Sequence, residues 1–217
     1  MLKKDKVRFI IEQLDKFYPT VNPPLDHSNN YTLLIAVLLS ANSTDKSVNK
    51  VTPSLFKKAN VPNKMIQLSY DELYSIIKPC GLGPAKAKNI LALSHILVNN
   101  FKSEVPDSFQ ELEKLPGVGH KTASVVMSQA FGYPAFAVDT HVHRLMYRWG
   151  LSNGKSVLQT ERDGKRLFPE EKWNKLHLQI IYYGREFCKA RECFGIGCKI
   201  CKTCYPNRKK PFITKKA

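Results

Sequence analysis

The chain has 217 residues, of which 43% are hydrophobic, enough for the core of one large domain or two small ones. Lys and Arg number 34 against 18 Asp and Glu, a formal charge of +16 that favours a polyanionic partner such as nucleic acid, although a basic surface that only keeps the protein in solution has the same composition. The N-terminal stretch has no apolar core followed by a cleavage site, and the most apolar run, Leu33–Leu39, is too short to span a bilayer. We therefore expect no secretory leader, no membrane span and a cytoplasmic location.

Apolar residues recur at helical spacing along most of the chain, and alternating β-branched runs are scarce, which predicts an almost entirely helical protein. Glycine, proline and asparagine turn signals separate the helical segments. From Cys188 onward, Cys, Gly and Lys are too frequent for a regular element, so we expect a loop there. The predicted helices span residues 4–17, 30–41, 44–58, 63–68, 70–78, 84–100, 108–114, 120–131, 138–149, 156–167 and 171–184.

The stretch LPGVGHKTA, residues 115–123, places two glycines directly before a predicted helix. Gly117 and Gly119 tolerate positive φ and leave no side chain between backbone and ligand, so they can form a tight hairpin with outward N–H groups. Such a hairpin at a helix N-terminus is an anion site, although a plain turn between two helices also explains an isolated G-x-G. GLGPAKAKNI at 81–90 repeats the rhythm, which predicts a second hairpin.

The stretch AVDTHVHR, residues 137–144, opens another predicted helix. Asp139 alone is most simply read as a helix N-cap. Combined with Lys121, which opens the helix after the glycine hairpin, it supplies a carboxylate beside an amine nucleophile. That pair suits attack on an electrophilic carbon next to a leaving group.

The cysteines are unevenly distributed. Five of the six lie between Cys188 and Cys204. In a reducing compartment this clustering favours a metal site over disulfides.

LPGVGHKTASVV, FGYPAFAVDTHVHR, LLIAVLLSANSTDKSVNK and the cysteine group together resemble the endonuclease III family of DNA base excision repair glycosylases, in the family's order and over nearly the whole chain. The resemblance implies an all-α fold. It implies a six-helix barrel domain with a helix-hairpin-helix motif at 21–132, and a helical iron-sulfur cluster domain formed by both termini, 1–20 and 133–217. DNA is expected to bind across the cleft between them.

Carried over by position, the resemblance makes Lys121 the catalytic lysine and Asp139 the catalytic aspartate of a bifunctional enzyme for oxidised pyrimidines. A flipped nucleotide would be attacked at C1′ by Lys121 to form a Schiff base, with Asp139 stabilising the cationic sugar, and β-elimination would cut the strand. The expected partner is double-stranded DNA with damaged bases or abasic sites, bound by a nucleoid-associated monomer. A monofunctional glycosylase of the same superfamily and a non-catalytic, zinc-containing DNA-binding module remain the alternatives.

The resemblance also implies further DNA contacts. Leu82 matches an apolar wedge that enters the duplex, although a core leucine would look the same in sequence. Asn42 stands where the family commonly has a glutamine that fills the vacated stack, and it is one methylene shorter. His120 and the two hairpin glycines are expected near phosphate, and His141 near the backbone at the lesion.

For the cysteines the resemblance implies a 4Fe-4S cluster held by C-x6-C-x2-C-x5-C, a spacing from which this chain departs. The C-x2-C pair favours Cys188, Cys198, Cys201 and Cys204 as ligands and leaves Cys193 surplus. A gapless overlay recruits Cys193 and leaves Cys201 surplus instead. One zinc ion held by four thiolates is the rival chemistry.

Overall fold

The computed structural model describes residues 1–213, and within that range it contains helices and turns but no strand, which confirms the all-helical prediction. None of the helices in these residues combines the length and apolar character that a membrane crossing would require. A single 3₁₀ turn in this range, Glu170–Lys172, directly precedes Trp173. The helices are α1 Lys3–Phe17, α2 Asn30–Ser40, α3 Asp45–Lys58, α4 Pro62–Met65, α5 Tyr70–Ile77, α6 Gly83–Asn100, α7 Phe109–Lys114, α8 His120–Ala130, α9 Thr140–Arg148, α10 Val157–Leu167, α11 Trp173–Glu186 and α12 Lys199–Cys204.

The expectation of a loop from Cys188 onward is wrong for α12, whose six residues form a helix. Cys198 precedes the helix in an extended conformation, and its carbonyl accepts the first helical hydrogen bond from Lys202 N–H at 3.0 Å. Ile200 and Cys204 on this helix are buried. Burial of one helix face stabilises a turn that the local composition does not suggest, because tertiary packing supplies most helical stability in proteins.

The chain forms two compact units. The first is continuous, Pro23–Tyr133, and contains α2–α8; it is called the barrel unit below. The second combines Met1–Asn22 with the described residues from Pro134 onward and contains α1 and α9–α12; it is called the terminal unit. The domain boundaries expected from the sequence, after residues 20 and 132, lie beside these points.

The barrel unit is built on α2, which is buried along its length from Tyr31 to Leu39. Its start is fixed by a capping box, in which the Asn29 side chain accepts from Thr32 N–H at 2.8 Å and Asn29 N–H donates to the Thr32 hydroxyl at 2.9 Å. The helix packs against α3, α6 and α8. A helix covered on all sides needs no polar face, which explains the unbroken apolar run in its sequence.

In the terminal unit the two ends of the chain share one core. Ile10 and Leu14 of α1 are fully buried in the same cluster as Trp149 and Tyr183. The Lys6 ammonium lies 3.5 Å from the centroid of the Tyr205 ring. The N-terminal helix is therefore an integral part of the unit that carries the cysteines.

Candidate nucleic-acid interface and metal centre

The glycine hairpin at 115–119 joins α7 to α8 in the barrel unit. Val118 N–H donates to the Leu115 carbonyl at 3.0 Å, and both side chains are buried beneath the turn. Gly117 has φ +79, and a Cβ there would lie 2.7 Å from Asn89 Nδ2, so both conformation and space require glycine. A Cβ on Gly119 would meet nothing within 4 Å. Gly117 therefore serves the fold, whereas Gly119 leaves open space over the backbone.

Lys121 is the second residue of α8 and its side chain is exposed. Gly119 is the N-cap of this helix and provides no side-chain cap, so the positive end of the helix is not neutralised by a capping side chain. Next to it, His120 Nδ1 lies 2.7 Å from a carboxylate oxygen of Glu113, and its ring stacks on Phe109 at a centroid distance of 6.3 Å. A phosphate approaching His120 would have to compete with that carboxylate.

Asn42 and Leu82, the expected plug and wedge, lie in two loops of the barrel unit that touch each other. Gly81 N–H donates to Ser43 Oγ at 3.0 Å, and a Cβ on Gly81 would lie 2.5 Å from the Asn42 carbonyl oxygen. Both residues adopt left-handed backbone conformations, with φ 52 for Asn42 and φ 62 for Leu82. Leu82 is 59% exposed, which rules out the core-leucine alternative.

Asp139 is the N-cap of α9 in the terminal unit. One carboxylate oxygen accepts from Val142 N–H at 2.8 Å, and the side chain is half-buried. The capping role suggested by the sequence is therefore present, and it fixes the direction of the carboxylate. His141 Nδ1 lies 3.2 Å from Arg144 Nη2, which also donates to the Gly184 carbonyl at 3.0 Å.

Four of the clustered cysteines meet in the terminal unit. The Sγ atoms of Cys188, Cys193, Cys198 and Cys201 all lie within 4.8 Å of one another, and all four residues are buried. Cys188 Sγ is 3.4 Å from Cys193 Sγ and 3.8 Å from Cys201 Sγ. Cys204 is also buried but is outside this group. The group of four thus differs from both ligand sets predicted from the sequence, because each of those sets included Cys204.

The four-cysteine group, called the cysteine cage below, is formed by a reversal of the chain. Phe194 and Gly195 have φ 47 and φ 74, and this turn directs Cys198 N–H toward Cys193 Sγ at 3.4 Å. Hydrogen bonds from neighbouring thiols, first from Cys188, hold the pKa of Cys193 far below its usual range. Burial raises the pKa of Cys204 to about 11, so it stays a protonated thiol near neutral pH.

The cage fits a metal group by its donor set. Four thiol sulfurs converge in a buried site, and soft thiolate donors select zinc or iron-sulfur centres over hard cations. Binding would release the remaining thiol protons, since thiolates are the ligating species. The predicted metal-binding segment is therefore located at Cys188–Cys201.

Two buried cations near these sites were not identified from the sequence. Lys86, on α6, is 4% exposed and donates to the Leu39 carbonyl at 2.8 Å and to the Ala41 carbonyl at 2.6 Å. Arg148, on α9, is 1% exposed and donates to Cys188 Sγ at 3.4 Å and to the Lys189 carbonyl at 2.9 Å. The available signal was helical spacing, because each cation shares a face with apolar residues of its own helix.

Known proteins resemble this chain over nearly its full length. Residues 35–170 match the family model described as HhH-GPD superfamily base excision DNA repair protein. The chain is 41% identical over 211 residues to endonuclease III of Bacillus subtilis (strain 168), covering 97% of this chain and 96% of the relative.

Two solved structures extend the similarity to three dimensions. A trapped endonuclease III–DNA covalent intermediate, an estranged-adenine complex, is 41% identical with a TM-score of 0.86, covering 94% of this chain and 99% of that one. A non-covalent endonuclease III–DNA complex is also 41% identical, with a TM-score of 0.87 and coverage of 94% and 98%. From its helical fold and these matches, the chain belongs to the HhH-GPD superfamily of base excision DNA repair proteins and, within it, to the endonuclease III family.

Proposed function

We propose that this chain is a bifunctional DNA glycosylase and abasic-site lyase of base excision repair, acting on oxidised pyrimidines in duplex DNA. The observation that carries the proposal is an exposed lysine, Lys121, at the start of the helix that follows the glycine hairpin, in a chain 41% identical to an endonuclease III trapped covalently on DNA. A covalent intermediate requires a nucleophile, and a lysine amine can form such an intermediate with a carbonyl-like carbon.

Lys121, in its neutral form, attacks C1′ of the flipped nucleotide. A bond forms between Nζ and C1′ while the glycosidic bond breaks, and its electron pair leaves with the base, which gains a proton. Loss of a proton from nitrogen and opening of the sugar ring yield the Schiff base. The imine acidifies the C2′ proton, and removal of that proton expels the 3′ phosphate; water then hydrolyses the imine and frees Lys121.

Asp139 stabilises the positive charge that develops on the sugar. Its carboxylate is oriented by Val142 N–H at 2.8 Å, so its direction is set before substrate arrives. A charge that is already oriented costs no reorganisation during the reaction, which makes such groups effective in the transition state.

DNA is held by the positive end of α8 and by the surplus of basic side chains, which gives the chain a formal charge of +16. Leu82 enters the duplex as the wedge, and Asn42 occupies part of the space that the flipped base leaves. His120 and His141 make additional contacts to the sugar-phosphate backbone of the DNA. The enzyme acts as a monomer on one lesion at a time in the nucleoid.

The cysteine cage holds a 4Fe-4S cluster through Cys188, Cys193, Cys198 and Cys201, with Cys204 as the surplus thiol. Convergence of the four sulfurs supports this set over the two sets that include Cys204. When bound, the cluster has a structural role, cross-linking the segment from Cys188 to Cys201. Iron and sulfide analysis distinguishes it from a single zinc ion.

The decisive experiment is borohydride reduction during incubation with abasic-site duplex DNA. The wild type is expected to form a covalent adduct whose mass maps to Lys121. Lys121→Arg, which keeps the charge but not the nucleophile, should form none, whereas Lys114→Ala, an exposed lysine of the preceding helix, should behave as wild type.

Two outcomes would favour the alternatives. Release of oxidised pyrimidines with no trapped adduct identifies a monofunctional glycosylase. Salt-dependent DNA binding with neither base release nor adduct identifies a non-catalytic DNA-binding module.

A further inference from the structure

A buried ammonium group lies directly beneath the two exposed loops of the barrel unit. Lys86 Nζ donates to the Leu39 carbonyl at 2.8 Å, the Ala41 carbonyl at 2.6 Å and Ser43 Oγ at 3.0 Å. A lysine ammonium has three N–H donors, and here all three have an acceptor. Burial lowers the pKa of Lys86. All three donors of the Lys86 ammonium are therefore used within the protein, and none is left to bind phosphate.

The acceptors lie at the end of α2 and in the loop that follows it, whereas the lysine lies in the first turn of α6, directly after the other loop. Leu39 is in the last turn of α2, and Ala41 and Ser43 flank Asn42. Lys86 is in the first turn of α6, and its own N–H donates to the carbonyl of Leu82, the N-cap of that helix, at 3.0 Å. Ser43 Oγ also accepts from Gly81 N–H at 3.0 Å. One side chain thus ties the segment of Asn42 to the segment of Leu82.

Both exposed residues adopt backbone conformations that need support. Asn42 has φ 52 and Leu82 has φ 62, a region that side-chain-bearing residues adopt infrequently. Such conformations persist where the surrounding structure over-determines them. The Leu82 side chain is 59% exposed and the Asn42 side chain is also exposed, so their own packing supplies little of that support. The hydrogen bonds of Lys86 do supply it.

We propose that Lys86 is a positioning residue for opening the DNA duplex, which fixes the Asn42 and Leu82 loops as one rigid pair before DNA binds. This rests on the proposed function, in which Leu82 enters the base stack and Asn42 fills the gap. Two side chains that must enter one step of the duplex together need a fixed mutual spacing. A preformed spacing avoids the cost of ordering two loops during binding.

The test compares Lys86→Met with Lys88→Met in the full-length, metal-loaded protein. Methionine keeps the length and apolar stem of Lys86 but removes its donors, and Lys88 is an exposed lysine of the same helix, so its replacement removes the same charge. The substrate is an abasic-site duplex with 2-aminopurine beside the lesion, whose fluorescence rises when it unstacks. Single-turnover strand cleavage, unstacking, and affinity for undamaged duplex are measured for each variant.

In Lys86→Met, both unstacking of the lesion site and strand cleavage are expected to be about tenfold to a hundredfold slower than in the wild type. This is the range expected for small misplacements away from the reacting atoms. Its affinity for undamaged duplex should stay at least as high as that of Lys88→Met, because Lys86 has no donor left for phosphate. Amide hydrogen exchange should increase at residues 41–44 and 81–83. A purely stabilising lysine would not separate unstacking from binding in this way.

A double-mutant cycle tests whether Lys86 acts through the wedge. In a Leu82→Ala background, Lys86→Met should add little further loss, since the side chain that it positions is already truncated. If Lys86→Met does not fold, Ser43→Ala, which removes one acceptor of Lys86 and the acceptor of Gly81 N–H, should show a smaller version of the same separation.

The two proposals fail in different ways. A wild type that neither cleaves nor forms an adduct contradicts the proposed function, and the 2-aminopurine signal still tests Lys86. A Lys86→Met protein that unstacks the lesion as fast as wild type, or losses that simply add to those of Leu82→Ala, overturns the role of Lys86.

Discussion

The paired loops at Asn42 and Leu82 and the cysteine cage are both held from beneath by a buried cation, but they depend on it differently. Lys86 donates hydrogen bonds to strong oxygen acceptors at 2.6–3.0 Å, and these bonds connect the two loops without any bound group. Arg148 reaches the Lys189 and Ala190 carbonyls at 2.9 Å, but the sulfurs beside it are weak hydrogen-bonding groups 3.4 and 3.8 Å apart. The hydrogen bonds of the first region hold it without a bound group, whereas the second region is the one that we propose a metal completes.

The largest expected effect comes from removing a ligand of the proposed cluster. Cys193→Ser should lose iron and sulfide, bleach the brown protein and destabilise the terminal unit by several kcal/mol, because a structural metal contributes its binding energy to folding. Cys204→Ser, the matched control, should stay brown. Metal analysis, visible absorbance and thermal unfolding provide the measurement.

Two other results would instead support one of the two ligand sets that were predicted from the sequence. A bleached Cys204→Ser beside a brown Cys193→Ser supports Cys188, Cys198, Cys201 and Cys204. A brown Cys201→Ser with both other variants bleached supports the gapless set. If chelation of the metal also increased amide hydrogen exchange at residues 41–44, the two regions would not be independent of each other.

The next effect separates the cation from the metal. Arg148→Met leaves several buried carbonyl acceptors of the cage without their donor, and we expect a loss of about 3–5 kcal/mol in the free energy of unfolding. Arg162→Met, an exposed arginine of α10, should change it by less than about 0.5 kcal/mol. Chemical denaturation measures both. Equal, small effects would mean that the metal alone holds the cage.

Within the barrel unit, the two hairpin glycines provide an intermediate test. Gly117→Ala must place a Cβ at φ +79 and 2.7 Å from Asn89 Nδ2, and we expect a loss of about 1–3 kcal/mol. Gly119→Ala has open space and should leave stability nearly unchanged, and it should weaken DNA affinity if, as proposed, the backbone that its Cβ would cover binds phosphate. Thermal unfolding and duplex titration separate the two; an unstable Gly119→Ala would contradict the division of roles.

The smallest effect is a pH dependence of the terminal unit that is independent of the metal. His143 is buried, its Nδ1 lies 2.8 Å from the Thr160 hydroxyl, and burial lowers its pKa. Since the unfolded chain binds a proton there more readily, stability is present above the ordinary histidine pKa of about 6.5 and is lost as pH falls below it. Unfolding curves at pH 7 and pH 5 should show this loss, and His143→Gln should reduce it.

Much of the barrel unit was predictable because its signals are local. Apolar spacing located its helices, and the glycines of 115–119 marked the turn before Lys121. The exposure of Leu82 was not readable, because a leucine beside Gly81 fits a core as well as a surface. Lys86 was missed because its burial depends on distant acceptors, the carbonyls of Leu39 and Ala41 at the end of α2, which lie more than forty residues earlier in the chain.

The cysteine cage shows the limit of spacing arguments. Both sets weighed from the sequence treated Cys188 and Cys204 as the ends of the site, whereas the left-handed turn at Phe194 and Gly195 brings Cys193 inward. No spacing rule encodes that reversal, because it depends on backbone angles at two residues between the ligands. Lys121 and Asp139, by contrast, lie at the helix starts that the sequence predicted for them, while their catalytic roles come from the resemblance and stay predictions.

The division of the terminal unit between both ends of the chain has a consequence for synthesis on the ribosome. Residues 23–133 emerge as one continuous piece and can fold at once, but α1 must wait for α11 and α12 before Ile10 and Leu14 are covered. At about 5–20 residues per second, that wait lasts roughly ten to forty seconds. During that time the apolar face of α1, which leaves the ribosome first, stays unburied and is accessible to a chaperone.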